Sequence, residues 1–156
     1  MSVRNRCLPK TAANTFGVLL GSQRNDVAML NYYDGGIGPS VYKGLFNPDN
    51  FYPYKTYYAF KSFNEAYKLG LEVSSDSSNA DVYVIAAKSE GRGVILVANT
   101  TDEPLTLDIE ALGADINSAD VIITDDEYLY TFVGDIIRNG KLNIKEYSCI
   151  EIRVKL

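Results

Sequence analysis

The sequence predicts an α+β fold: an antiparallel β-sandwich of about eight strands over residues 71–156, preceded by a helix–strand–helix segment over residues 1–70. Three observations carry that prediction. The hydrophobic period changes near Gly70 from helical to two. The charge changes at the same place: residues 1–70 hold eight Lys/Arg against four acids, a balance of +4, and residues 71–156 hold seven against sixteen, a balance of −9. The aromatics divide likewise, twelve of eighteen Tyr and Phe falling between Tyr32 and Tyr67. At 156 residues the chain is one domain, or a small one with an appendage. Its 46% hydrophobic and 22% charged content is that of a globular chain rather than a disordered or membrane one.

In the first half, Pro9 and Thr11 open a helix whose apolar stripe is Ala12, Phe16, Leu19 and Leu20, with Gly21 weakening its end and Asn25-Asp26 as a stop. Val27 to Tyr33 is a short, nearly continuous apolar run, the pattern of a strand buried on both faces. Asp34-Gly35-Gly36-Ile37-Gly38-Pro39-Ser40 reads as a loop. Pro53 suits the first turn of a second helix, with Tyr57, Phe60, Phe63 and Tyr67 as its packing stripe and Gly70 as its stop.

The second half offers short strands at Leu71–Val73, Asp81–Ala87, Gly93–Ala98, Leu105–Ile109, Val121–Thr124, Tyr128–Val133, Leu142–Ile144 and Ile150–Val154. Ser89-Glu90-Gly91-Arg92 is hairpin-like, Asn139-Gly140 is a strong turn signal, and Ser74–Asn79 is a linker turn.

Composition narrows the chemistry. With no histidine, Ser-His-Asp and Cys-His nucleophile systems and imidazole metal sites are excluded. Cys7 and Cys149 are too few for a disulfide framework or an all-cysteine metal site. The acidic balance argues against nucleic acid. No apolar run approaches the roughly 20 residues of a membrane span, so no membrane partner is expected. The polar start MSVRNRCLPK carries no signal peptide, which predicts a cytoplasmic protein.

Gly35-Gly36-Ile37-Gly38 lacks the third glycine and following helix of a dinucleotide loop, and no motif implies a cofactor. Asp125-Asp126-Glu127 lacks calcium-loop spacing and reads as a solvated turn. Asn99-Thr100-Thr101 matches a glycosylation acceptor and marks a surface loop. Asp34, at the end of the apolar run, stands where an α/β barrel places a site residue, yet a glycosidase needs two carboxylates. The loop aromatics, Tyr32, Tyr33, Tyr42, Phe46, Phe51 and Tyr52 among them, suit either sugar stacking or burial.

Met29-Leu30-Asn31-Tyr32-Tyr33-Asp34, then Gly44-Leu45-Phe46-Asn47, then Pro53-Tyr54-Lys55-Thr56-Tyr57-Tyr58-Ala59-Phe60, resembles the end of the catalytic barrel of clan A glycoside hydrolases. In that family a last strand is followed by a G-L-F segment, a Y-Y-A-F helix and a C-terminal β-sandwich; Val94–Asn99 is similar to one of the sandwich strands. The resemblance implies the C-terminal region of such an enzyme, with residues 1–70 a remnant of the (β/α)8 barrel and 71–156 the sandwich. The family's two catalytic glutamates would lie upstream of Thr11, so no residue here inherits a catalytic role. Tyr32, Tyr33 and Asp34 match the mouth of the last barrel strand and, with Tyr42 and Phe46, are the substrate-side candidates. The expected function is a non-catalytic accessory domain packing against a barrel; the alternative is a carbohydrate-binding module using Tyr42, Phe46, Phe51 and Tyr52. A third reading makes the chain a small hydrolase built on Asp34. Carbohydrate is the candidate ligand, and the expected macromolecular partner is a second copy or the missing barrel portion.

Overall fold

The computed structural model describes residues 8–25, 27–33, 35 and 44–156. Two helices, α1 (Pro9–Ser22) and α2 (Lys55–Leu69), precede eight strands: β1 (Leu71–Val73), β2 (Val82–Ser89), β3 (Arg92–Asn99), β4 (Leu105–Asp108), β5 (Asp120–Thr124), β6 (Thr131–Gly134), β7 (Lys141–Ile144) and β8 (Ser148–Lys155). Each of the eight strands expected over residues 71–156 forms, with shifted ends; β6 starts three residues later than expected. Among the described residues no helix is long and apolar enough to cross a membrane.

The strands make a six-stranded antiparallel sheet in the order β1-β2-β3-β8-β5-β6 and a two-stranded sheet of β4 and β7. Alternation along the strands gives the larger sheet two apolar faces. One packs Ile85, Ala87, Val94, Leu96, Ala98 and Cys149 against Phe16, Leu20 and Ala59 of the helices. The other packs Val97, Val121, Ile123, Ile150 and Ile152 against Leu142 and Ile144 of β7. The result is an α+β sandwich, six strands over two, with the helices as a third layer.

Pro9 occupies the first turn of α1, where its missing N–H leaves no bond unmade. Gly17 and Gly21 are contact points: a Cβ at Gly17 would stand 2.9 Å from Thr100 Cγ2 and 3.1 Å from Tyr83 Cδ2, and one at Gly21 would stand 3.2 Å from the same tyrosine ring. α2 ends as expected at Gly70, which adopts φ +81°, a left-handed cap that glycine takes without strain. Its start is later than expected, because Pro53 pairs instead with Phe46 in an isolated β-bridge. The buried face of α2 also differs from expectation. It is Thr56, Ala59, Ser62 and Ala66, whereas Tyr57, Phe60 and Phe63 flank it half-buried and Tyr67 is 78% exposed. Small residues let the helix lie close on the sheet, and the aromatics close its sides.

The strand expected at Val27–Tyr33 does not form. A strand exists through ladder hydrogen bonds to neighbours, and no described element runs beside this run. Its apolar side chains stay in solvent instead: Val27 is 46% exposed, Met29 75%, Leu30 46% and Tyr33 76%.

Candidate functional site

Of the expected site residues, Tyr32, Tyr33 and Phe46 are described, while Asp34 and Tyr42 lie outside the described residues. Tyr32 and Phe46 meet the same flank of α2. Tyr32 packs edge-on against Phe60, with ring centroids 5.1 Å apart at 72°, and Phe46 lies tilted against Tyr57 at 5.3 Å. Both rings are therefore engaged in packing, whereas Tyr33 projects into solvent.

The exposed aromatics sit on the loop leading to α2. Tyr54 N–H donates to Leu45 C=O, Asn47 N–H to Tyr52 C=O, and Phe51 N–H to Asn47 C=O, each at 2.8 Å. The side chains of Asn47 and Asn50 accept from the N–H groups of Asp49 (2.8 Å) and Tyr52 (3.1 Å). This small braced hairpin holds Phe51 at φ +60°, a strained conformation for an aromatic residue, and presents Phe51 and Tyr52 62% and 71% exposed.

A second cluster lies where α2 crosses β8 and the turn after β5. Glu151 has no side-chain exposure; Ser62 Oγ donates to its Oε2 at 2.7 Å, and Arg153 pairs with its Oε1 through Nε at 2.7 Å and Nη2 at 2.6 Å. Arg153 Nη2 also donates to the Tyr130 hydroxyl at 3.2 Å. The Tyr130 ring stacks on Tyr58 at 5.3 Å, and Lys61 Nζ stands 4.0 Å from its centroid. Burial, then the charge of Glu151, pushes the Tyr130 hydroxyl up to about 12. Burial opposes the Arg153 charge, but the hydrogen bond to Glu151 and the charge of that carboxylate, with Tyr130 and Glu65 nearby, together hold the guanidinium above its usual range. Glu151 alternates with Ile150 and Ile152 along β8 and so lies on the sheet face that the helices cover, where α2 supplies its partner Ser62.

The acidic turn is only partly the solvated loop expected. Asp125 is buried, accepting from the N–H groups of Glu127 (2.9 Å) and Tyr128 (2.7 Å), and Lys55 Nζ donates to the carbonyls of Asp125 and Tyr128. Asp126 and Glu127 pair with Lys145 at 3.0 and 2.8 Å; its hydrogen bond holds the Asp126 carboxyl below the usual range. Asn99 is not in a surface loop as expected: it is fully buried at the end of β3, its amide donating to the carbonyls of Glu103 and Lys145 at 3.1 and 2.8 Å. Burial pushes the Cys149 thiol far up, so it stays protonated and unreactive. Among the described residues no group of three or more Cys, Asp or Glu is placed to hold a metal ion. The chemistry this surface offers is ring stacking at Phe51 and Tyr52; the Glu151 cluster, closed to solvent on its carboxylate side, locks α2 to the sheet.

No family model and no curated protein matches the chain. Solved structures do. The glycoside hydrolase family 30 subfamily 8 xylanase Xyn30A of Clostridium acetobutylicum superposes with TM-score 0.75 at 16% identity, over 96% of this chain and 40% of that one. The family 30 endoxylanase of Clostridium papyrosolvens C71 gives 0.72 at 16% identity, over 97% and 39%. A family 44 xyloglucanase of Paenibacillus polymyxa gives 0.61 at 15%, over 94% and 30%. At these identities the likeness is one of fold. The chain spans 40% or less of these structures, and its fold is that of a part of barrel glycoside hydrolases, as the resemblance to their C-terminal region implied.

Proposed function

We propose that the chain is a non-catalytic C-terminal part of a glycoside hydrolase, an accessory sandwich that packs against a catalytic barrel and contributes the barrel's last strand. The observation that supports this reading is the apolar run Val27–Tyr33, solvent-exposed apart from Tyr32 beside a body with two buried cores of its own. A parallel strand buried on both faces has this composition, and a barrel would supply its neighbours. The match to only part of each solved hydrolase is in keeping with it. The isolated chain is expected to self-associate or to bind an apolar dye through this run, and Met29→Lys with Leu30→Lys is expected to abolish both. Light scattering and dye fluorescence on the two proteins decide it: a compact, dye-silent monomer in the unaltered chain overturns the reading.

A second reading, carbohydrate binding, is favoured by the braced exposure of Phe51 and Tyr52. Adjacent rings held out by a fixed loop would stack on pyranose faces at low entropic cost. Calorimetric titration with xylo-, manno- and gluco-oligosaccharides tests it: heat that disappears in Tyr52→Ala supports it, and no heat at millimolar sugar rejects it.

A further inference from the structure

We propose that Asn139 is a spontaneous deamidation site, and that the side chain of Asn117 holds the reaction back in the folded chain. Asn139 and Gly140 form the tip of a tight turn with φ +52° and +74°, the two left-handed positions of a type I′ hairpin. Arg138 and Lys141 exchange backbone hydrogen bonds of 3.0 and 2.9 Å across it. The fold requires glycine at the second position: its φ is positive, and a Cβ there would stand 3.1 Å from the Ile109 carbonyl oxygen. That requirement leaves an exposed asparagine followed by the residue that hinders attack on it least.

In the reaction the Gly140 backbone nitrogen loses its proton and bonds to Asn139 Cγ, and the side-chain nitrogen leaves as ammonia. The five-membered imide then takes up water, reopening to aspartate or, through the other carbonyl, to isoaspartate. Here the attacking N–H is occupied, donating to Asn117 Oδ1 at 3.0 Å. The next peptide unit is pinned as well, where the Gly140 carbonyl accepts from Ile109 N–H at 2.7 Å, so both peptide planes of Gly140 are held. The guard is itself held: Asn117 is the middle residue of a 3-10 turn (Ile116–Ser118) capped by Asp115, whose carboxylate accepts from the Asn117 N–H at 3.1 Å. To attack, the Gly140 nitrogen must leave Asn117 and its peptide plane must turn. Deamidation would add a charge, and isoaspartate a main-chain methylene, at the tip from which the end of β4 hangs. The β4–β7 layer over one apolar face would loosen.

The test follows the mass gain at Asn139 by peptide mapping while the full chain stands in mildly alkaline buffer, folded or in urea. Asn139 is expected to react several-fold more slowly in the folded chain. Asn117→Ala is expected to speed the folded reaction about fivefold, the net worth of one hydrogen bond. Asn117→Asp, which keeps an acceptor, is expected to stay slow. Asn117 is exposed, so neither change threatens the core. Equal rates in folded and unfolded chain, an unchanged rate in Asn117→Ala, or an Asn117→Asp as fast as Asn117→Ala would each overturn the proposal.

Discussion

Removing Arg153 should cost much more stability than neutralising its partner Glu151. Arg153→Ala leaves a carboxylate with no side-chain exposure facing two neutral hydroxyls, that of Ser62 at 2.7 Å and that of Tyr130, and no cation. Stripping one partner from a buried pair typically costs about 3–5 kcal/mol. The arginine side chain is 43% exposed, however, so water can follow it out and soften the loss. The expected figure is therefore nearer about 2–3 kcal/mol. Glu151→Gln has the same shape and removes the charge that needed the partner, while the freed guanidinium can turn to solvent; its cost should be about 1 kcal/mol, one imperfect hydrogen bond. With a urea slope of about 2 kcal/mol per molar, the midpoints should fall by about 1 M and about 0.5 M respectively. Urea unfolding followed by far-ultraviolet circular dichroism measures both. If Arg153→Ala loses no more than Glu151→Gln, the pair is not what locks α2 to the sheet.

Three further outcomes follow from the packing and charges. The raised pKa of Tyr130 means that its neutral form is favoured by folding, so its contribution is present below the ordinary tyrosine value of about 10 and is lost as pH rises toward about 12; Tyr130→Phe should flatten the alkaline decline in melting temperature, and an unchanged decline would contradict this. Gly17→Ala should destabilise despite alanine's better helix propensity, because its Cβ would stand 2.9 Å from a Thr100 methyl whose hydroxyl is tied to the Asp81 carbonyl at 2.8 Å; it should melt lower than Gly21→Ala, which meets only the Tyr83 ring, and the reverse order would refute the contact. Phe16→Ala, emptying a fully buried site between α1 and the sheet, should cost about 3–5 kcal/mol in chemical unfolding, and a loss under about 1 kcal/mol would show that α1 is not part of the cooperative core.

The features legible in the sequence were those fixed by local chemistry. Pro9 opens α1, Gly70 closes α2, Glu90-Gly91 turns β2 into β3, and Asn139-Gly140 makes its turn, because each depends on its own φ or a missing donor. Period-two alternation located the eight strands for the same reason. What depends on distant partners was hidden. The pairing of β8 between β3 and β5 is set by which apolar edges meet, not by any local signal. Glu151 alternates with apolar neighbours and Asn99 opens a loop-like Asn-Thr-Thr, as polar residues should, and they are buried because Ser62 and the carbonyls of Glu103 and Lys145 arrive to satisfy them. Val27–Tyr33 reads as a strand because its composition suits one, and it lacks the neighbours that make one. In the candidate site, the resemblance singled out Tyr32 and Phe46 as substrate-side candidates and left Phe51 and Tyr52 to the alternative reading; the position of α2, which takes up the first two, leaves the other two presented.

The proposed role as an accessory part with no catalysis of its own is tested most directly by reducing-end release from xylan, xyloglucan and an aryl glycoside. The prediction is no release above buffer at any protein concentration. Release that scales with protein and vanishes in Asp34→Asn would contradict it.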